Sequence, residues 1–186
     1  MAIFAVEGRF GGGKSALASF LAVTMAAERG CGLYANYHLQ GATPVRYIAE
    51  LYDIWDSILV LDELQATVDS RGAMSRSNAE FLEWFDQSRK QGNELFVISQ
   101  ALHKLDRRVR DMVDILFVCR NLGGTISAVD VWDAAVERCV SRLTIDRSWA
   151  FGLYNHRERA WALLPGSPAA AAAGERARSA RALGVR

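Results

Sequence analysis

Cysteine is too scarce in this sequence to staple a fold. Cys31, Cys119 and Cys139 are odd in number, widely spaced and set in apolar surroundings. They exclude a disulfide frame or a thiolate metal cluster and predict reduced core residues. Histidine is as sparse: His38, His103 and His156 stand too far apart to gather round a metal. Charge of one sign is missing as well, the net value being +1. Contact with nucleic acid therefore has to come from local patches or from several subunits pooling their charge. No apolar run has the length of a bilayer span, which predicts that no segment crosses a membrane. The first charge is Glu7, inside what reads as an opening strand, so a secretory leader is not expected and a cytoplasmic location is. No internal repeat is evident. With 186 residues the chain is expected to form one domain with a proper core.

What is present begins at the N-terminus. Glu7 to Ser15 reads EGRFGGGKS, and Gly8, Gly13, Lys14 and Ser15 fill the fixed positions of the phosphate-binding pattern G-x-x-x-x-G-K-[ST]. An apolar run, Met1 to Val6, precedes it, and Ala16 to Glu28 comes after it as a helix rich in Ala and Leu. Strand, Gly-rich loop and helix are the context in which main-chain N–H groups curl round a polyphosphate and the helix start adds its free donors. The expected nucleotide-binding set is Gly8, Arg9, Phe10, Gly11, Gly12, Gly13, Lys14, Ser15 and Ala16. Lys14 is placed to reach the β- and γ-phosphates of ATP, and the Ser15 hydroxyl to ligate Mg²⁺.

Further along, Cys31–Asn36, Ser57–Leu61, Leu95–Ser99 and Ile115–Cys119 read as buried strands, with helices expected at Val45–Trp55 and from Ser77 or Asn78, as cap, to Gln91, stopping at Gly92. Tyr37–Pro44 and Gln65–Arg76 read as loops, the latter exposed. Apolar strands alternating with helices predict an α/β fold with a mainly parallel sheet covered on both faces. After Asn121 the pattern loosens into an antiparallel extension, Thr125–Trp132 and Arg138–Asp146, with one more strand at Trp149–Tyr154. The domain is expected over 1–164, with its core in 1–121 and the added strands in 122–164. The Ala- and Arg-rich stretch 165–186 reads as a tail, disordered or a frayed helix. The five tryptophans sit in apolar periodicity and are assigned to the core.

Asp62 and Glu63 close an apolar strand, where ligands sit in open α/β sheets. Asp62 is expected to hold Mg²⁺ and Glu63 to polarise the attacking water. Gln100, after Ser99 at the next strand end, either bridges the γ-phosphate and water to what moves on hydrolysis or bonds a turn. An arginine acting on a neighbour's nucleotide would come from Arg89, Arg71, or the group Arg107, Arg108 and Arg110. Lys104, Arg107, Arg108 and Arg110 form the densest basic cluster, facing nucleic-acid phosphates or forming a solvated helix face paired with Asp106 and Asp111. Arg71 and Arg76 are further candidates for DNA contact.

In this order, GRFGGGKS, ILVLDE, QSRKQG, LFVISQ, LDRRVRD and ILFVCR resemble the FtsK/HerA-type ATPases. Within these the sequence is similar to the small genome-packaging ATPases of membrane-containing viruses and to the zonular occludens toxin (Zot) ATPase domain of filamentous phages. The resemblance spans Met1 to Arg120. It implies a RecA-like (ASCE) P-loop core with the Ser99–Gln100 strand between those bearing the phosphate loop and Asp62–Glu63. It implies a homo-oligomeric ring of five or six subunits round double-stranded DNA, with ATP and Mg²⁺ at subunit boundaries and Arg89 as the leading group acting in trans. The first reading is a DNA-packaging translocase in the host cytoplasm or with the virion, partnered by capsid or portal-vertex proteins, because Zot-type proteins generally carry a membrane helix beyond this domain. The second is a Zot-like ATPase of phage assembly and export. A third is a nucleotide-gated scaffold without translocation.

Overall fold

A computed structural model of the chain describes residues 2–68, 76–155 and 160–166. The 165–186 stretch, save its first two residues, and Arg71 lie outside the described residues. The eight strands form one sheet in the order β3-β2-β4-β5-β1-β6-β7-β8. They are β1 (Ile3–Glu7), β2 (Leu33–Ala35), β3 (Thr43–Pro44), β4 (Ile58–Leu61), β5 (Glu94–Ser99), β6 (Ile115–Gly123), β7 (Ile126–Asp133) and β8 (Arg138–Asp146). The first six run parallel and β7 and β8 are added antiparallel. The strand ending at Ser99 lies between those ending at Glu7 and Leu61. This is the fold of the P-loop NTPases, with the expected antiparallel extension.

Burial explains why these strands are continuous apolar runs. β4 and β5 are buried at every residue, because helices cover both faces. On one face α1 (Lys14–Arg29) lays Ala18, Ala22 and Ala26 against Val60, Phe96 and Val129. Small residues let that helix sit close to the sheet, and Gly30, left-handed at φ 64°, ends it by donating to the Ala26 carbonyl at its C-terminus. On the other face α2 (Arg76–Ser88) packs Phe81, Trp84 and Phe85 over Leu59, Leu61 and Val97. Trp84 is fully buried, so its indole N–H must find partners; it donates to the Leu51 carbonyl at 3.0 Å and to Gln91 Oε1 at 2.9 Å. A 3-10 turn, Arg89–Gln91, leads from α2 to Gly92, the residue expected to stop the helix.

Several local expectations are corrected. Val45–Trp55 is a 3-10 helix, Ile48–Asp53, and not an α-helix. The Glu50 carboxylate accepts the N–H groups of Arg46 and Tyr47 at 2.8 and 3.0 Å, closing a short turn after Pro44. Trp149–Tyr154 is no strand: Ser148–Gly152 is a 3-10 helix, started by Asp146 accepting the Ser148 N–H at 3.0 Å. Ser77 and Asn78 lie within helix α2, Arg76–Ser88, rather than at its cap. The Tyr37–Pro44 loop contains the two-residue strand β3. Trp84 alone of the tryptophans is fully buried; Trp55 and Trp149 are exposed. The cysteines are free, with Cys119 buried and Cys31 and Cys139 half-buried. Among the described residues no helix is long and apolar enough to cross a membrane.

Candidate functional site

Glu7, Leu61 and Ser99 end adjacent parallel strands, so the segments leaving these three residues gather at one edge of the sheet. The phosphate loop crosses this edge. Gly8 takes φ 151°, Gly11 74° and Gly13 93°, conformations that side chains disfavour. At Gly8 there is also no room: a Cβ would lie 2.2 Å from the Cys119 carbonyl oxygen, a main-chain atom of β6. Gly8→Ala is therefore expected to destabilise the protein by about 3 kcal/mol, through strain and overpacking together. At roughly 2–4 °C per kcal/mol this is a fall of about 10 °C in Tm, read by thermal unfolding.

Within the loop the Gly12 N–H donates to the Arg9 carbonyl at 3.0 Å, and Lys14 Nζ donates to the same oxygen at 3.3 Å. Lys14 is almost fully buried, whereas Phe10 at the loop apex is 94% exposed. The Ser15 hydroxyl donates to Asp62 Oδ2, and the Glu63 N–H donates to Asp62 Oδ1 at 2.7 Å. Burial pushes the Asp62 carboxyl above its usual range, against the lowering effects of these bonds and of Lys14. A half-buried carboxylate beside a hydroxyl is an all-oxygen donor pair that suits a hard divalent cation such as Mg²⁺. Among the described residues no group of three or more His, Cys, Asp or Glu is placed to hold a metal ion.

Glu63 sits in the left-handed region at φ 52°, a conformation that costs about 1–2 kcal/mol for a residue with a Cβ. Its carboxylate accepts from Gln65 Nε2 and, at 3.4 Å, from Gln100 Nε2. Lys14, Ser15, Asp62, Glu63 and Gln100 are thus brought to one place. Ser99 turns aside, its hydroxyl donating to the Ala101 carbonyl at 3.1 Å. Beside the loop opens a cavity of 640 Å³ whose lining includes Glu7, Arg9, Phe10, Gln100, His103 and Arg120.

The described arginines expected to act in trans or on DNA are not gathered here. Arg89 donates to the Met112 carbonyl at 3.1 Å and lies 3.6 Å from Asp114, at the opposite edge of the sheet. Arg107 pairs with Asp111 and Arg108 with Asp106, on and just ahead of the short α3 (Arg107–Asp111). Lys104 is exposed nearby. Arg76 lies in α2, and Arg71 lies outside the described residues.

Three residues absent from the sequence-based set hold this edge together. Asn36 accepts the Asp62 N–H at 2.7 Å and donates to the Asp62 carbonyl at 2.8 Å, so β2 fixes the acidic strand end. Ser127 donates to the Gly12 carbonyl at 2.9 Å, and Arg147 Nη1 to the Gly11 carbonyl at 2.8 Å. An Asn at a strand end is a faint signal. The contacts of Ser127 and Arg147 join positions 115 and 136 apart and leave no local trace in the sequence.

Residues 44–144 match the family model described as zonular occludens toxin (Zot). A search of curated proteins finds no match. Among solved structures the chain is similar to the N-terminal domain of zonular occludens toxin from Neisseria meningitidis, at 20% identity and TM-score 0.60, over 83% of this chain and 98% of that one. It is similar to the genome packaging NTPase B204 from Sulfolobus turreted icosahedral virus 2, solved with ATP-gammaS, at 12% identity and TM-score 0.54, over 77% and 96%. B204 described as the DNA-packaging ATPase from Sulfolobus turreted icosahedral virus aligns at 13% identity and TM-score 0.55, again over 77% and 96%. At these identities the likeness establishes the fold.

Proposed function

The chain belongs to the zonular occludens toxin (Zot) family, and from that premise and the site at the sheet edge we propose that it is a Mg²⁺-dependent ATPase that moves phage DNA during assembly and export. The observation that carries this reading is the meeting of Ser15 with Asp62 beside Glu63 and Gln100, at the mouth of the phosphate loop. ATP would lie with its β- and γ-phosphates against the main-chain N–H groups of Gly8 to Ala16 and the Lys14 ammonium. Mg²⁺, held by Ser15 and Asp62, would neutralise charge on the β- and γ-phosphates. Glu63 takes the proton of a water whose oxygen bonds to the γ-phosphorus as the bond to the bridging oxygen breaks, giving ADP and phosphate. Gln100, within reach of Glu63, senses the change and passes it to the segment beyond β5, where Lys104, Arg107 and Arg108 lie.

Family membership puts this assembly role ahead of genome packaging, which the sequence alone places first. Packaging stands as the second reading, favoured by the alignment with 96% of B204, and would add capsid or portal-vertex partners. In both, the chain forms a ring of five or six copies with duplex DNA in its channel, and Arg89 leaves Met112 and Asp114 to complete a neighbour's site. The test is the ATPase rate of the assembled protein with and without double-stranded DNA. The motor readings expect severalfold stimulation that fades steeply between about 50 and 200 mM salt. Turnover indifferent to DNA, or binding without turnover, favours the scaffold. In the same assay Arg89→Ala is expected to lower the rate, and a wild-type rate would leave that residue only its bonds within its own chain.

A further inference from the structure

The outer side of the phosphate loop is held from far along the chain. Arg147, just past β8, is only 9% exposed. Its Nη1 donates to the Gly11 carbonyl at 2.8 Å, Nη2 to the Gly124 carbonyl at 2.6 Å and to Asn121 Oδ1 at 3.3 Å, and Nε to the Thr125 carbonyl at 3.0 Å. Every one of these acceptors is neutral. The neighbouring Asp146 carboxylate feels the charge of Arg147 but is not among its described hydrogen-bond partners, so the buried guanidinium turns its donors to the loop that bears Lys14.

Ser127, fully buried on β7, takes the next carbonyl, that of Gly12. Two successive peptide planes of the loop are therefore pinned by their oxygens to the β7–β8 hairpin. In a trans peptide the N–H lies on the side opposite the carbonyl. Pinning the Gly12 carbonyl to Ser127 therefore aims the Gly13 N–H away from the hairpin. The fit is close on this side: a Cβ at Gly13 would lie 2.6 Å from Arg147 Cδ and 2.9 Å from Ser127 Oγ. The third glycine of the motif's GGG is thus matched to the hairpin as well as to its own φ.

We propose that Arg147, with Ser127, is a positioning residue of the nucleotide site: the antiparallel extension sets the phosphate loop in the shape that receives a polyphosphate and adds a positive field behind it. This rests on the reading that the loop takes a nucleoside triphosphate. Because the hold acts on ground and transition states alike, its loss should raise Kd and KM and leave kcat nearly unchanged.

The experiment titrates a fluorescent ATP analogue with Mg²⁺ into the full chain and its variants, well below their Tm, and measures turnover at saturating ATP. Arg147→Ala is expected to weaken binding about tenfold or more, with kcat within about threefold of wild type. Arg147→Lys keeps the charge but not the fork that reaches several carbonyls, and should recover part of the affinity. Ser127→Ala should weaken binding by about threefold. Val129→Ala, in the same hairpin but in the α1-side core, lowers Tm without touching the loop and should leave Kd unchanged. If wild type binds and Arg147→Ala, folded, binds equally well, or if Val129→Ala weakens binding as much, the positioning role falls while the ATPase reading stands. If Arg147→Ala does not fold, Ser127→Ala decides, and an unchanged Kd in it overturns the proposal. Failure of the wild-type protein to bind the analogue would instead sink the ATPase reading.

Discussion

Replacing Lys14 with alanine is expected to weaken ATP binding by about 100-fold, since a charge-assisted contact to phosphate is worth about 3 kcal/mol and each 1.4 kcal/mol is tenfold. The residue is almost fully buried, and its one described hydrogen bond is to the Arg9 carbonyl, at 3.3 Å. That contact is long and to a neutral oxygen, so an arriving triphosphate displaces it readily. Burial of the ammonium means that the cation has already lost most of its water before the nucleotide comes. Its removal also takes a cation from beside Asp62, whose carboxyl would then be pushed further up. The loss is expected both with Mg²⁺ present and without it. Titration of a fluorescent ATP analogue in both conditions measures this, with thermal unfolding as a check that the variant is folded. A dissociation constant within about threefold of wild type would show that the loop does not use Lys14 to grip a triphosphate.

What the sequence discloses and what it hides divide along contact distance. The phosphate loop is legible because its chemistry lies in nine consecutive positions, and the Asp62–Glu63 pair because an apolar strand must end in something polar at a ligand-facing edge. The parallel core comes from strands with no polar alternation, which only a doubly covered sheet permits. Arg147 could not be found this way. It falls between the strands read at Arg138–Asp146 and Trp149–Tyr154, and nothing local says that the guanidinium folds back onto Gly11. Asn36 is likewise hidden, since its two bonds to the Asp62 main chain depend on β2 lying beside β4. The error at Trp149 has a physical cause: an aromatic run suits a strand, but here its ring packs 4.2 Å from that of Phe20 on α1, and the backbone coils to allow it. The missing α-helix at Val45–Trp55 is similar, because Glu50 satisfies the very N–H groups that a longer helix would leave open.

Glu63→Gln should separate binding from chemistry. The side chain sits at a left-handed position that a sequence shaped for stability alone would give to glycine or asparagine, and strain of this kind is tolerated where a side chain has to be aimed. Its carboxylate lies one residue beyond Asp62, turned from the Ser15 bond and toward Gln100, so the two acids face different partners. Exchanging one carboxylate oxygen for an amide nitrogen keeps an acceptor for Gln65 or Gln100 and leaves the backbone as it is. Folding and ATP affinity should change little, the latter by less than about threefold, because Glu63 is not among the groups that touch phosphate. The amide cannot take a proton, and a general base contributes about 10²–10⁴-fold, so kcat should fall by about 1000-fold. Rapid-quench turnover on saturated enzyme reads the chemical step directly, without confusion from product release. A fall in affinity with kcat preserved would make Glu63 a ligand and not the base. Turnover at the wild-type rate would move the base elsewhere.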